Sequence, residues 1–122
     1  MATWTDVEAV IATLVDVTEG TRYRNQTWFV NGRAFAWDRP YSKADIKRFG
    51  SEPPPAQEPI LALATVDLHD KEAILASGIT GVFTISHFDG YPAVLVELAA
   101  VDRRSLRRLL TEAYQSQVGP GS

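Results

Sequence analysis

Two aromatic-rich segments, each centred on a dipeptide that tolerates positive φ, constrain this chain more than any other feature. The first runs Thr27-Trp28-Phe29-Val30-Asn31-Gly32-Arg33-Ala34-Phe35-Ala36-Trp37. The second runs Phe83-Thr84-Ile85-Ser86-His87-Phe88-Asp89-Gly90-Tyr91-Pro92 and continues from Ala93 to Leu98. Asn-Gly and Asp-Gly are the dipeptides that two-residue type I′ turns select, so each segment is expected to be a β-hairpin. A turn at Asn31-Gly32 pairs Val30 with Arg33, Phe29 with Ala34 and Trp28 with Phe35. Alternation then puts Trp28, Val30, Phe35 and Trp37 on one face and Phe29, Ala34 and Ala36 on the other. A turn at Asp89-Gly90 pairs Phe88 with Tyr91, His87 with Pro92, Ile85 with Val94 and Phe83 with Val96. His87 then shares the more apolar face, and Glu97 lies with Thr84, Ser86, Tyr91, Ala93 and Leu95 on the face expected to meet solvent.

Helical patterns separate the hairpins. Thr5-Asp6-Val7-Glu8 has capping-box spacing, and Val7, Val10, Ile11 and Leu14 recur at helical intervals, which predicts a first helix from Thr5. Thr21 to Arg24 reads as a short strand after a Glu19-Gly20 turn. A second helix is expected from Ser42 to Phe49, stopped by Gly50, followed by a Pro-rich loop to Pro59. Ile60 to Val66 is an apolar strand, and Asp67 caps a helix over Leu68 to Ser77 that stops at Gly78. Asp102 caps a last helix whose apolar face is Leu106, Leu109, Leu110 and Ala113. Hairpins interleaved with helices predict an α+β, two-layer α/β sandwich, an antiparallel sheet with helices on one face. One domain is expected over residues 1–116, with 117–122 a flexible tail.

The chain has 122 residues, 45% of them hydrophobic, enough for one core without a metal or disulfide staple. It has no cysteine, which excludes thiolate catalysis and Cys-ligated zinc and suits a reducing cytosol. Residues 1–17 lack a basic, apolar, small-residue leader pattern, and no apolar run reaches bilayer length, so a cytoplasmic protein without a membrane partner is expected. The net charge of −3 argues against strong non-specific binding of nucleic acid, whose free energy comes from cations displacing phosphate counterions.

The two hairpins, with Thr18-Glu19-Gly20-Thr21 and the helix opening Ser42-Lys43-Ala44-Asp45, resemble the MmcQ/YjbR-like family of small bacterial proteins over roughly residues 5–115. The resemblance implies a YjbR-like fold, akin in shape to secretion-chaperone-like and frataxin-like domains. It also implies DNA binding through two hairpin wings. On that reading Arg22, Arg24, Arg33, Arg39, Lys43, Lys47 and Arg48 are the nucleic-acid-binding residues, Arg33 at the tip of the first wing. The second wing carries His87, Phe88 and Asp89, and an acidic tip is repelled by phosphate.

The alternative is a small-ligand or protein-binding module that uses an aromatic sheet face, with Trp28, Trp37, His87 and Tyr91 as the ligand-binding residues. Core packing is the simpler account of the tryptophans, and a hydrogen-bonded structural role the simpler account of His87. No Walker A or Gly-x-Gly-x-x-Gly pattern occurs. His69 beside Asp67 and Asp70 is better explained by helix capping than by a metal, and Ser86 and His87 point to opposite faces of a strand. Asp16 and Glu19 have no second carboxylate that can be placed opposite them. No catalytic residue, metal or cofactor is expected, and the protein reads as a non-enzyme. The arginines at 103, 104, 107 and 108 read as a solvated helix face.

Overall fold

The computed structural model describes residues 1–118, which form an α+β fold. A six-stranded antiparallel sheet has four α-helices among the described residues. In chain order these are α1 (Trp4–Ile11), β1 (Val17–Arg22), β2 (Asn25–Val30), β3 (Arg33–Asp38), α2 (Lys43–Phe49), β4 (Ile60–Ala64), α3 (Leu68–Ala76), β5 (Val82–Phe83), β6 (Ala93–Glu97) and α4 (Arg103–Val118). A 3₁₀ turn at Ser86–Phe88 lies between β5 and β6. The strands are ordered β1-β2-β3-β4-β6-β5.

Several elements lie where their local chemistry directs. Ser42 accepts the Asp45 amide while Asp45 accepts the Ser42 amide, a capping box that starts α2. Asp67 caps α3 through the Asp70 amide, and Asp102 caps α4 through the Ser105 amide at 2.7 Å. Leu106, Leu109, Leu110 and Ala113 are buried on α4 as its periodicity requires. Other boundaries move. The cap of α1 is Thr3, paired with Asp6, so the helix starts before Thr5. β1 passes straight through Glu19-Gly20 and turns at Tyr23-Arg24, so Thr21 to Arg24 is not a separate strand. β4 ends at Ala64, two residues before Val66. α4 continues through Val118, so residues 117 and 118 are helical and the rest of the expected tail lies outside the described residues.

The first hairpin keeps its Asn31-Gly32 turn, with φ of 52° and 74°, and its first two pairs, Val30 with Arg33 and Phe29 with Ala34. It then departs from the expected register. Trp28 pairs with Ala36 rather than Phe35, so Phe35 is the extra residue of a β-bulge. Because side chains alternate, one extra residue moves everything beyond it to the opposite face. Trp28, Val30, Phe35 and Ala36 pack with α1 and α4 in the main core, while Trp37 joins Ile60, Ala62, Ile85, Phe88, Ala93 and Leu95 in a second cluster behind the sheet. The helix side is therefore the face of Trp28, Val30 and Phe35, and Trp37 does not share it.

The second segment is not a type I′ hairpin. β5 is two residues long and pairs Phe83 with Leu95, one position from the expected Val96. The chain then leaves the sheet for the 3₁₀ turn, so Ile85 is not paired with Val94. Asp89 has φ −60° and ψ 130°, and Gly90 has φ 74°, with the Tyr91 amide donating to the Phe88 carbonyl at 3.0 Å. These are the dihedrals of a type II turn, in which only the second central residue needs positive φ, and Asp-Gly serves that turn as well as type I′. The turn folds back onto the sheet. Ala93 and Leu95, expected to meet solvent, are buried beneath it.

Candidate functional site

The bulge has a consequence at the far end of β3. It turns Trp37 to the face opposite α1, α3 and α4, where the ends of β1 and β3, the start of β2, the Arg39–Ser42 segment and the 86–91 turn converge around a cleft of about 680 Å³. Trp37 forms its floor. The Tyr91 ring meets Trp37 edge-on at 6.4 Å and Phe88 edge-on at 5.5 Å. Tyr41 lines another side, its hydroxyl donating to the Ala56 carbonyl at 2.7 Å and its ring set edge-on against Phe49. Burial raises the Tyr41 phenol above its ordinary pKa, so it stays protonated and committed to that carbonyl.

Two arginines enter the cleft and differ in what holds them. Arg39 is tied down: its guanidinium pairs with Asp45 at 2.9 Å, donates to the Pro40 carbonyl and stacks 5.4 Å from the Phe88 ring centre. Burial pushes the Asp45 carboxyl up, but the Ser42 amide and then Arg39 outweigh it, so the carboxyl stays below its usual range and ionised. Arg22 has no such partner. Its guanidinium lies 5.2 Å from the centre of the Trp37 ring and 6.0 Å from that of Tyr23, and no described side chain or carbonyl pairs with it.

The 86–91 turn is held from behind by Lys71, a buried residue of α3. Its ammonium donates to the carbonyl of Phe88 and, at 2.9 Å, to that of Tyr91. Burial lowers its pKa, and Asp89 opposes that shift. Lys71 thus fixes the backbone that presents Phe88 and Tyr91 without itself lining the cleft.

Of the residues expected to bind nucleic acid, only Arg22 and Arg39 enter the cleft. Arg24 is exposed in the adjoining β1–β2 turn, and Lys43, Lys47 and Arg48 are exposed on α2, where Arg48 pairs with Asp45 at 3.4 Å. Arg33 sits at the other end of β3, on the order of 20 Å away at about 3.3 Å per residue, so the set does not form one surface. Of the expected ligand residues, Trp37, His87 and Tyr91 meet in the cleft. Trp28 does not: it is only 2% exposed in the helix-side core, packed 6.3 Å from Trp4. His87 is exposed at the rim rather than on an apolar strand face, because Ser86–Phe88 is a 3₁₀ turn.

Tyr23, Tyr41 and Lys71 were not legible as site residues, and the sequence marks Phe88 only as part of the second wing. Tyr23 carries no turn signal, and a helical lysine reads as solvated charge. Among the described residues no group of three or more His, Asp or Glu side chains is placed to hold a metal ion, and no helix is long and apolar enough to cross a membrane.

No family model matches the chain, and no solved structure matches it. Its sequence is 40% identical over 120 residues to "Uncharacterized protein Rv2570" of Mycobacterium tuberculosis (strain ATCC 25618 / H37Rv), an alignment covering 96% of this chain and 89% of that protein. "Uncharacterized protein Mb2600" of Mycobacterium bovis is similar to the same extent, 40% over 120 residues with 96% and 89% covered.

Proposed function

This chain belongs to the family of the uncharacterized mycobacterial proteins Rv2570 and Mb2600, and we propose that it is a non-enzymatic cytoplasmic binding module for a small planar aromatic anion. The observation that carries the proposal is Arg22, whose guanidinium has no counter-ion among the described residues and lies on Trp37 inside the cleft. The cleft volume falls within the roughly 300–1,000 Å³ of small-molecule sites, and the lining sets the aromatic rings of Tyr23, Trp37, Tyr41, Phe88 and Tyr91 beside polar side chains. An anionic group gives Arg22 a charge-assisted partner, and a flat ring takes over the Trp37 face against the Tyr91 edge. Arg39, already paired with Asp45, serves to hold the wall in place.

Kinship with the MmcQ/YjbR-like family remains part of this proposal on the hairpin residues. Duplex binding through two wings draws less support, since the 86–91 turn folds back onto the sheet and Arg33 lies at the other end of β3 from Arg22 and Arg39.

Calorimetry with two probes tests the reading: anilinonaphthalene sulfonate, an anion that presents a flat naphthalene ring, and N-phenylnaphthylamine, its neutral counterpart. The sulfonate is expected to bind at least ~10-fold more tightly, the worth of a hydrogen bond to a charged group, and Arg22→Ala to remove the preference. Equal affinity for the two probes, or no binding of the sulfonate, overturns the proposal.

A further inference from the structure

The sheet contains two tight hairpin turns with positive φ at both central residues, and they are built from different materials. At Asn31-Gly32 the residues are those that adopt the left-handed region most readily. At Tyr23-Arg24 the same backbone, with φ of 53° and 68°, is imposed on two long side chains that resist it. Nothing in the core needs Tyr23, which is 88% exposed. Its ring instead borders the cleft, and the Arg22 guanidinium approaches both it, at 6.0 Å, and Trp37, at 5.2 Å.

We propose that the Tyr23-Arg24 turn is a ligand-contacting element, in which Tyr23 supplies the second aromatic wall and closes over a planar anion lying on Trp37. The inference rests on the cleft reading above and specifies its ligand further. A flat ring that takes the place of the Arg22 guanidinium, which approaches both aromatic rings, lies on Trp37 under Tyr23, and Arg22 then meets an anionic substituent at the ring's edge. Saturated anions and inorganic phosphate, which have no flat face, gain nothing from such stacking. Strained backbone at a site where the side chains touch ligand is the usual form of a stability–function compromise.

The test replaces the turn with its sister's sequence, the double variant Tyr23→Asn/Arg24→Gly, and measures melting and sulfonate binding together. The expected result is a Tm raised by about 4 °C, as relief of turn strain in a domain of this size implies. Binding of anilinonaphthalene sulfonate is expected to weaken roughly 5-fold or more, through loss of one stacked ring. Tyr23→Asn alone reproduces the loss of affinity, and Tyr23→Phe, which keeps the ring, rescues it. Unchanged affinity in both asparagine-bearing variants overturns the inference, as does a Tyr23→Phe variant as weak as Tyr23→Asn. Binding that depends on Arg22 but not on Tyr23 leaves the cleft reading standing and removes only the turn from it. Wild-type protein that shows no Arg22-dependent binding removes both.

Discussion

Asp45 is 2% exposed, and its carboxylate accepts from the Ser42 amide at 2.9 Å, pairs with Arg39 at 2.9 Å and reaches Arg48 at 3.4 Å. Its folded-state pKa lies below the ordinary 3.8. The stability it contributes is therefore fully present above the unfolded-state value and is lost as pH falls through the folded one. Asp45→Asn is expected to cost about 2 kcal/mol near neutral pH and to flatten the acid limb of the stability curve below pH ~4. Urea titrations at several pH values check both. Lys71→Met should cost about 2 kcal/mol by leaving two turn carbonyls unpaired, and should also weaken ligand binding through a looser 86–91 turn. Urea unfolding with parallel probe titration measures the two effects. Hairpin alternation singled out Trp37 together with Trp28 as an aromatic face, and Tyr91 stood out beside the Asp89-Gly90 turn; the bulge keeps Trp37 in the cleft and leaves Trp28 in the core. Lys71 stayed invisible, because only tertiary burial distinguishes it from any other helical lysine.

The elements were legible where a local hydrogen bond defines them and obscure where the sheet does. Ser42, Asp67 and Asp102 cap helices through amides three residues on, an interaction that spacing alone specifies. The Phe35 bulge has no such signature: nothing in Ala34-Phe35-Ala36 marks an extra residue, yet it decides which face Trp37 occupies and therefore whether there is a cleft. At Asp89-Gly90 the dipeptide announced a turn correctly, but not its type, in a segment where Phe88 packs into the cluster of Trp37, Ile60, Ala62 and Leu95. A further joint lies where β5 begins. Gly81 has φ 97°, and a Cβ there would stand 2.9 Å from the Val101 nitrogen and 3.1 Å from the Glu97 carbonyl oxygen. Gly81→Ala is expected to destabilise the fold by more than ~1 kcal/mol, since both the backbone conformation and the space exclude a methyl group. A urea midpoint unchanged from wild type would contradict that account.

For the whole molecule, the two-layer architecture followed from the alternation of hairpins and helices, whereas the distribution of charge over the surface did not. Cations that are close in sequence end up at opposite ends of β3, on α2 and in the cleft, and the chain carries a net charge of −3. That set neutralises few phosphates at once, and on α4 Arg103 is paired with Asp6 at 3.4 Å and Arg108 with Glu112 at 3.0 Å. Fluorescence anisotropy at physiological salt is accordingly expected to show no saturable binding of duplex DNA, and Arg33→Glu to leave sulfonate binding unchanged.

The central claim is that one cleft, floored by Trp37, takes a planar aromatic anion. The chain's three tryptophans divide cleanly for this purpose, because Trp4 and Trp28 pack on the helix side and Trp37 behind the sheet. Two-dimensional ¹H–¹⁵N NMR of the indole groups during titration with anilinonaphthalene sulfonate reads them separately. The account predicts that the Trp37 indole resonance moves saturably while those of Trp4 and Trp28 stay in place, and that Arg22→Ala moves the midpoint of the titration to at least ~10-fold higher probe concentration. A Trp37 resonance that stays fixed at saturating probe would contradict it.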